Sequence, residues 1–306
     1  MGRYTCRRIL LGILALFVLV TAAFFLTRMM PGSPFQSGNV SESVLRSLER
    51  EYGLDKPAGG QYVTYLGNLL RGDLGMSYKK PGTSVAEVIA RAWPVTFFLG
   101  FLAILLAVVL GTVMGVWQAV TERKAVKGGI FLGTMLGTGM PNFVIALLLA
   151  LLFGVKLKFL PVAGLTGAAN YVLPVVSLAV YPASVITRMI HNAAEEEMKR
   201  DYVVMARAKG LGRRRILITH VLKNAWLPVL NYIGPAAAFL LTGSFVTESI
   251  FTIPGLGREF VTSIANRDYT LILGLTVFMG TVVIGINLIT DLVGAWLDPR
   301  VRRTCR

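Results

Sequence analysis

The chain has 306 residues, of which 54% are hydrophobic and only 15% are charged, with a mean hydropathy of +0.64 and a formal net charge of +15. Soluble domains carry about 25% charged residues, so this chain lacks the polar surface of a water-soluble protein of its size. Its basic residues lie in the gaps between apolar runs, which argues against a nucleic-acid-binding patch and indicates a membrane protein.

Six long windows contain no Asp, Glu, Lys or Arg and predict membrane-spanning helices, which need about 20 apolar residues. They are Ile9–Thr27, Trp93–Thr121, Gly128–Val155, Phe159–Thr187, Ala225–Thr247 and Thr270–Thr290. The fourth includes a loop rich in Gly and Ala, so its span is predicted over Tyr171–Ile190. The first also resembles a signal peptide, but its length and the poor cleavage context at 28–31 favour a retained helix.

The distribution of lysine and arginine predicts the orientation, because cytoplasmic segments carry an excess of both. With the N-terminus inside, nineteen of them fall on inside segments and twelve on outside segments. We therefore expect an all-α membrane protein with a single transmembrane domain over 1–306 and both termini in the cytoplasm. Residues 28–92 would form a long extracytoplasmic loop, and 188–224 would form the longest cytoplasmic loop.

The long outer loop has the pattern of ordered helices. Asn39 or Ser41 is predicted to cap the start of a first helix and Gly53 to end it. In a second helix one face is formed by Tyr62, Tyr65, Leu66, Leu69 and Leu70. This helix is interpreted as lying on the membrane surface or packing on the spans, and docking of a substrate receptor is the alternative.

The predicted membrane interior carries no charge, which disfavours a proton- or sodium-coupled carrier. Its mildly polar residues are candidates for lining a pathway, although hydrogen bonds between packed helices explain such residues equally well. The pathway candidates are Asn142, Ser177, Asn231, Thr242 and Ser244. Prolines in several spans predict bends, which suit helices that enclose a pathway and rearrange.

No catalytic or cofactor site is predicted for this chain. Cys6 and Cys305 lie at opposite ends without a metal-ligand spacing, and His191 and His220 have no paired nucleophile. The Gly-rich runs GGIFLGTMLGTG and GPAAAFLLTG do not match the phosphate-binding pattern G-x-x-x-x-G-K-[ST]. Any energy for uphill transport must therefore come from another subunit.

The cytoplasmic loop contains the basic stretch DYVVMARAKGLGRRR at 201–215. It follows a predicted helix with Glu195–Lys199 and Glu196–Arg200 pairs, and Asp201 is predicted to cap a new short helix. Small residues would let a partner's backbone come close, and basic residues surround them. The small residues are Ala206, Ala208 and Gly210, and the basic residues are Arg207, Lys209 and Arg213–Arg215. The pattern alone leaves two interpretations open, a contact with anionic lipid or a contact with a partner protein.

DYVVMARAKGL followed by HVLKNAWLP resembles the cytoplasmic coupling loop, a degenerate EAA motif, of ATP-binding-cassette importer permeases. The form with A-R-A-K-G and H-x-L-x-N-A is similar to that of the peptide and nickel branch. Strict EAA motifs carry a Glu and a Leu-Pro at set distances from the motif glycine, whereas the equivalents here lie near Val204 and Leu222-Lys223. Charged contacts to an ATPase would therefore be made by other residues.

The resemblance runs nearly end to end and points to the B-type permease subunits of oligopeptide and dipeptide importers. The further motifs are RYTCRRIL at 3–10, PGSP at 31–34, GLDKP at 53–57, GDLGMSY at 72–78, MPNF at 140–143, LPVAGL at 160–165, TESIFTIPGLGREF at 247–260, NRDY at 266–269 and DPRVR at 298–302. The resemblance implies the type I ABC importer permease fold in the bacterial cytoplasmic (inner) membrane.

The resemblance also implies partners: a second homologous permease, two ATPase subunits that bind ATP and Mg, and an extracytoplasmic substrate-binding protein. The short helix would sit in a cleft of an ATPase. Its close-packed contact would come from Ala206, Ala208, Gly210 and Leu211, its orientation from Arg207, Lys209 and Arg213, and its start from Asp201. An outer helix and turn over Thr247–Gly257 would face the receptor with Glu248, Pro254, Gly255 and Gly257.

Alternatives remain at this point. The same architecture could import nickel or another small solute instead of peptides. A self-contained secondary carrier or channel is disfavoured by the absence of charges inside the predicted spans, and a membrane scaffold without transport would lack ATPase partners.

Overall fold

The computed structural model describes residues 2–32, 34–35 and 42–297. In chain order the helices are α1 (Gly2–Met29), α2 (Glu42–Glu51), α3 (Ala58–Leu70), α4 (Val85–Val120), α5 (Lys124–Gly139), α6 (Asn142–Leu149), α7 (Ala169–Glu197), α8 (Asp201–Ala208), α9 (Arg213–Ile216), α10 (Leu222–Ala225), α11 (Leu227–Leu241), α12 (Phe245–Ile250), α13 (Leu256–Ala265) and α14 (Tyr269–Leu297). Two π-helical stretches, Ala150–Lys156 and Leu217–Val221, complete the helical part of the described chain. The predicted caps Asn39 and Ser41, the motif at 298–302 and Cys305 lie outside the described residues.

In the described part of the chain, five helical segments are long and apolar enough to cross a membrane, and the number rises to six if one bent pair counts as a single span. The five are α1, α4, α7, α11 with its continuation α12, and α14. Large apolar side chains are exposed along α1, including Leu10, Ile13 and Phe17. Such a surface is stable in lipid or against another membrane helix, as the sequence predicts.

The third predicted span, over 128–155, is not a straight helix. It consists of α5 and the segment formed by α6 and its π-helical continuation, and the two are bent by 109°. Pro141 lies at the break, where its missing N–H and its steric restriction on Met140 prevent a continuous helix. The apolar run agrees with the prediction, and so does a bend at a proline within it, while the angle of 109° comes from the structure.

The long helices α4 and α7 pack closely because small residues recur every fourth position on one face of α4. These residues are Ala103, Ala107, Gly111 and Gly115, all buried. A Cβ atom at Gly111 would lie only 2.7 Å from the Cβ of Ile186 on α7. The hydrophobic effect is weak between helices in lipid, so van der Waals contacts at such a close approach hold the two helices together.

The part of the chain with α2, α3 and the turn up to residue 84 lies in the predicted extracytoplasmic loop, is called the outer segment below, and packs against the long helices. Gly53 ends α2 with φ of 65°, as predicted. From α3, the hydroxyl of Tyr62 lies 2.6 Å from that of Thr21, and the Tyr65 ring stacks on Phe24 at 5.6 Å between centroids. Leu70, predicted on the same face, is instead 89% exposed. The interpretation in which this helix packs on a span is the one that the structure supports.

A buried carboxyl group joins the outer segment to the last helix. Asp268, directly before α14, accepts hydrogen bonds from the Ser77 hydroxyl, from the backbone N–H of Tyr78 at 3.1 Å and from that of Leu271 at 3.2 Å. The last of these bonds satisfies a free N–H in the first turn of α14. Asp268 therefore caps α14 and holds the GDLGMSY turn in place.

Candidate functional site

The segment that carries the predicted coupling residues is a short helix with a defined end. α8 stops at Ala208, and Gly210 adopts φ of 80°, a conformation that side chains disfavour. The Leu211 N–H then donates to the Ala206 carbonyl at 3.2 Å, which satisfies a carbonyl at the end of the helix. The glycine is therefore needed for the turn, in addition to being small.

The inner face of α8 is packed against its own chain. Val203 and Ala206 are buried in an apolar cluster with Ala119 at the end of α4, Ala194 near the end of α7, and Ile216, Leu217, Val221 and Ala225. Leu211 packs against the same cluster. This corrects the prediction for Ala206, which is buried against its own chain rather than offered to a partner, whereas Leu211 is only half-buried.

The outer face of α8 is apolar at its centre and basic at its edge. Val204 and Met205 are 59% and 63% exposed, and Ala208 is also exposed. Arg207, Lys209 and Gly210 are exposed beside them. Sequence reasoning missed Val204 and Met205, although their spacing from Ala208 places them on one helical face.

Asp201 and Arg213 both lie in the predicted segment, but Asp201 does not cap the helix as predicted. Asp201 is the first residue of α8, the N-cap position is Arg200, and no side chain caps this helix. The negative charge still favours the first turn of the helix. Arg213 Nη1 lies 3.6 Å from Glu122 Oε1, and Nη2 donates to the Ala119 carbonyl at 3.4 Å. Arg213 therefore contacts the end of α4.

Glu197, which sequence reasoning did not single out, is the last residue of α7 and joins it to α8 and α10. The Tyr202 hydroxyl donates to Glu197 Oε2 at 2.6 Å, and Asn224 Nδ2 donates to the same oxygen at 3.2 Å. Burial and the bond to Glu197 raise the pKa of the Tyr202 hydroxyl above its usual value. The predicted Glu196–Arg200 pair forms at 3.1 Å, whereas Glu195 lies 3.5 Å from His191.

A second polar site lies within the TESIFTIPGLG motif. Glu248 on α12 is fully buried, with one carboxyl oxygen accepting from the Thr96 hydroxyl at 3.1 Å and the other from the Arg258 N–H at 3.1 Å. The Leu256 N–H donates to the Thr96 hydroxyl at 2.8 Å. Thr96 on α4 thus connects the carboxyl group to the turn between α12 and α13, a role that no sequence pattern suggested.

Glycines make room for this carboxyl group. A Cβ atom at Gly255 would lie 2.5 Å from Glu248 Oε2, and one at Gly257 would lie 3.0 Å from it. Gly243, with φ of 109°, approaches the other oxygen. The predicted bend exists, since the Gly255 N–H donates to the Ile253 carbonyl at 2.9 Å. Glu248 and both glycines are buried and cannot face a receptor, so Pro254 is the exposed member of the four predicted residues.

The five predicted pathway residues have different environments. The hydroxyls of Ser177 and Thr242 donate to carbonyls of their own helices at 2.8 and 2.9 Å, and Ser244 bonds to Thr247 at 2.9 Å. Ser177 is fully buried, which corrects its assignment to a pathway surface. Asn142 is half-buried and Asn231 is exposed. Three of the five are therefore explained by local hydrogen bonds.

Comparison with known proteins shows extended similarity. Residues 107–303 match the family described as "Binding-protein-dependent transport system inner membrane component". The chain is 40% identical over 303 residues to the dipeptide transport system permease protein DppB of Bacillus subtilis (strain 168), covering 99% of this chain and 98% of that protein. It is also 40% identical over 305 residues to the oligopeptide transport system permease protein OppB of Haemophilus influenzae, covering 99% and 100%.

Among solved structures, the fold is similar to a chain of the MetNI methionine ABC transporter in an inward-facing conformation. The TM-score is 0.53 at 18% sequence identity, and the match covers 69% of this chain and 96% of that chain. At this identity the likeness establishes a shared fold.

Proposed function

The chain belongs to the family of binding-protein-dependent transport system inner membrane components, and we propose that it is the permease subunit of an ATP-binding-cassette importer for peptides. It forms half of a translocation pathway with a second, homologous permease. The extended similarity to permeases of dipeptide and oligopeptide transport systems supports peptides as the cargo. The chain itself is not catalytic, since two cytoplasmic partner subunits bind ATP and Mg and hydrolyse the nucleotide.

The proposed arrangement in the membrane is a single domain with six spans, of which the bent pair is the third. Both termini lie in the cytoplasm, 28–92 lies outside and 188–224 lies inside. A binding protein delivers the cargo from outside to the face that carries the exposed Pro254. The excess of lysine and arginine on the inside segments supports this orientation.

The observation that carries the coupling proposal is the two-faced α8. Its outer face offers an exposed apolar patch formed by Val204, Met205 and Ala208, which suits insertion into a cleft on an ATPase. Arg207 and Lys209 at the edge would pair with acidic groups around that cleft and set the orientation of the helix. A contact with anionic lipid would explain the basic residues, but it would not require a short helix with this apolar patch between them.

The inner face of α8 explains how a movement of the ATPases would reach the pathway. Val203 and Ala206 pack against the ends of both α4 and α7, through Ala119 and Ala194. These two long helices are in turn packed together along their small-residue stripe. Because close-packed contacts transmit displacement, a shift of α8 moves the ends of α4 and α7 together. The permease would then switch between its inward-open and outward-open states.

The coupling role is tested by Gly210→Val with Gly212→Val as its matched control. Both glycines are exposed and have free space around them, but only Gly210 has a positive φ. A β-branched residue there costs about 1–2 kcal/mol and distorts the end of α8. We expect at least about tenfold less peptide uptake and transport-coupled ATP hydrolysis for Gly210→Val, with unchanged membrane insertion.

The measurement uses the assembled importer in proteoliposomes, with co-purification of the ATPase subunits as a second readout. Gly212→Val should retain both activities and both subunits. Normal uptake by Gly210→Val, or an importer that assembles and transports without ATPases bound to this chain, would remove the coupling role of α8.

A further inference from the structure

A cavity of about 410 Å³ lies where the C-terminal end of α1 meets the outer segment and the start of α14. Its polar lining includes Arg28, Arg50, Lys56, Gln61 and Tyr65. The volume is many times that of one water molecule, so the cavity can hold a small molecule or the polar part of a larger one. None of its lining residues takes part in the proposed coupling between α8, α4 and α7.

Three side chains at this cavity hold buried polar atoms without a hydrogen-bond partner among the described residues. These atoms are Nε and Nη1 of Arg28, the hydroxyl of Tyr65 and Oε1 of Gln61. The Gln61 amide nitrogen donates to the carbonyls of Leu54 and Lys56 at 3.1 and 2.8 Å, which fixes the orientation of its oxygen. Buried polar groups are normally paired. All three side chains line this one cavity, so a polar molecule bound there, water or a ligand, supplies the missing partners.

The charge of the lining selects an anion. Arg28, Arg50 and Lys56 contribute positive charges, and Asp73 is the acidic residue of the lining. One oxygen of Asp73 already accepts from the Gly75 N–H at 2.8 Å. Guanidinium groups recognise phosphate and carboxylate oxygens through charge-assisted hydrogen bonds. The oxygen of Gln61 adds an acceptor, which suits a ligand that carries a hydroxyl beside its anionic group.

The binding groups are held in place before any ligand arrives. The Arg28 guanidinium lies over the rings of Phe24 and Tyr269, at 5.1 and 5.2 Å from their centroids. Contacts through its faces leave the N–H donors at its edges available. Burial and the nearby Tyr62 raise the pKa of Tyr65 to about 12, so its hydroxyl remains a proton donor at neutral pH.

The position of the cavity points to a lipid. Arg28 follows the apolar run of α1 directly, and the neighbouring Leu26 and Met29 are exposed. Aromatic residues with a polar end, Tyr65 and Tyr269 here, are typical of the membrane–water interface. We propose that this cavity binds a phosphate group, supplied by the headgroup of an anionic phospholipid whose acyl chains lie along the exposed surface of α1.

The test measures lipid binding by the full-length chain in detergent, using native mass spectrometry. Phosphatidylglycerol is the probe because it combines a phosphate with hydroxyl groups. Phosphatidylcholine and inorganic phosphate are the comparison ligands. Arg28→Gln removes the buried charge, and Tyr65→Phe removes one oxygen while keeping the ring. We expect each to weaken phosphatidylglycerol binding about tenfold, the loss typical of a hydrogen bond to a charged group.

Arg71→Gln is the matched control, because Arg71 is an exposed arginine of the same outer segment outside the cavity lining. It should bind phosphatidylglycerol like the unmodified chain. If Arg28→Gln does not fold, Arg50→Gln takes its place with the same expected direction, since Arg50 is exposed at the end of α2.

The outcomes separate the two sources of phosphate. Saturable binding of phosphatidylglycerol that phosphatidylcholine does not match, and that the cavity variants weaken, supports the headgroup site. Displacement of the lipid by inorganic phosphate at millimolar concentration, with the same dependence on Arg28 and Tyr65, supports the phosphate site but assigns it to the free anion. Equal lipid binding by the cavity variants and Arg71→Gln overturns the proposal.

Discussion

At the scale of single residues, the side chain of Glu248 is fully buried and closely enclosed by its neighbours. Its carboxyl oxygens are satisfied by Thr96 and by the Arg258 N–H, and three glycines leave the space that it occupies. A buried carboxyl group is tolerated only with such partners. The motif TESIFTIPGLG therefore serves first to build this turn, and its glycines are needed for packing around Glu248.

This packing predicts the effect of Gly255→Ala. The new Cβ atom would lie 2.5 Å from both Glu248 Oε2 and Thr96 Oγ1, so the carboxyl group must move. We expect a loss of about 1–3 kcal/mol in the free energy of unfolding. Thermal unfolding of the full-length chain in detergent measures it.

Gly59→Ala serves as the control for this substitution. Gly59 lies in α3, and a Cβ atom there meets no atom within 4 Å. It should leave stability unchanged or raise it by up to about 1 kcal/mol, because alanine favours helices. Identical unfolding temperatures for Gly255→Ala and the unmodified chain would contradict the account of the Glu248 turn.

At the scale of elements, the assembly of the outer segment depends on a few polar contacts with the helices. Asp268 accepts bonds from Ser77, Tyr78 and Leu271, and Lys80 Nζ lies 2.6 Å from Glu259 Oε2 on α13. The hydrogen bonds to Asp268 are buried, whereas the Lys80–Glu259 ion pair is partly exposed and so contributes little to stability. The turn at 72–80 should therefore depend on Asp268 much more than on Glu259.

Asp268→Asn should release this turn. The amide keeps one acceptor oxygen but loses the charge, and one of its N–H groups then faces a donor, which costs about 2 kcal/mol. We expect trypsin to cleave after Lys79 about tenfold faster, whereas the bond after Lys80 precedes Pro81 and resists trypsin. Glu259→Gln, which removes only the exposed pair, should change the rate little. Equal protection of the Asp268→Asn chain would show that other contacts hold the turn.

For α8, the sequence pattern predicted the position of the helix but not which of its residues are exposed. A short helix between two charged stretches was predicted at the correct place, and the structure has it at Asp201–Ala208. Its faces were assigned less well, since Ala206 proved to be buried and Met205 exposed. Small size identifies residues that permit close contact, but the contact can be with the protein's own chain.

At the scale of the whole molecule, the resemblance predicted from the motifs is confirmed by the family match and by relatives that are 40% identical over almost the full length. The six apolar windows correspond to the five long helical segments and the bent pair. Composition and run length suffice for this, because the bilayer requires long apolar helices whatever their packing.

The proposed orientation can be tested by labelling single cysteines in a chain with Cys6→Ser and Cys305→Ser. Asp55→Cys on the outer segment should react with a membrane-impermeant maleimide in intact spheroplasts. Lys209→Cys beside α8 should react only after lysis if 188–224 lies in the cytoplasm as proposed. Both positions are exposed in the chain by itself, so when it is expressed without the ATPase subunits their access depends on the side of the membrane. Labelling of Lys209→Cys before lysis would reverse the proposed topology.

The sequence by itself determined that this is a helical membrane protein of a transport family, because apolar run length, charge distribution and motifs are properties of neighbouring residues. Only the tertiary structure decided that Glu248 is buried, that α5 and α6 meet at an angle of 109°, and which face of α8 is exposed. The reason is physical: the Thr96–Glu248 and Ser77–Asp268 bonds join residues 152 and 191 positions apart, and such pairings are set by packing between helices.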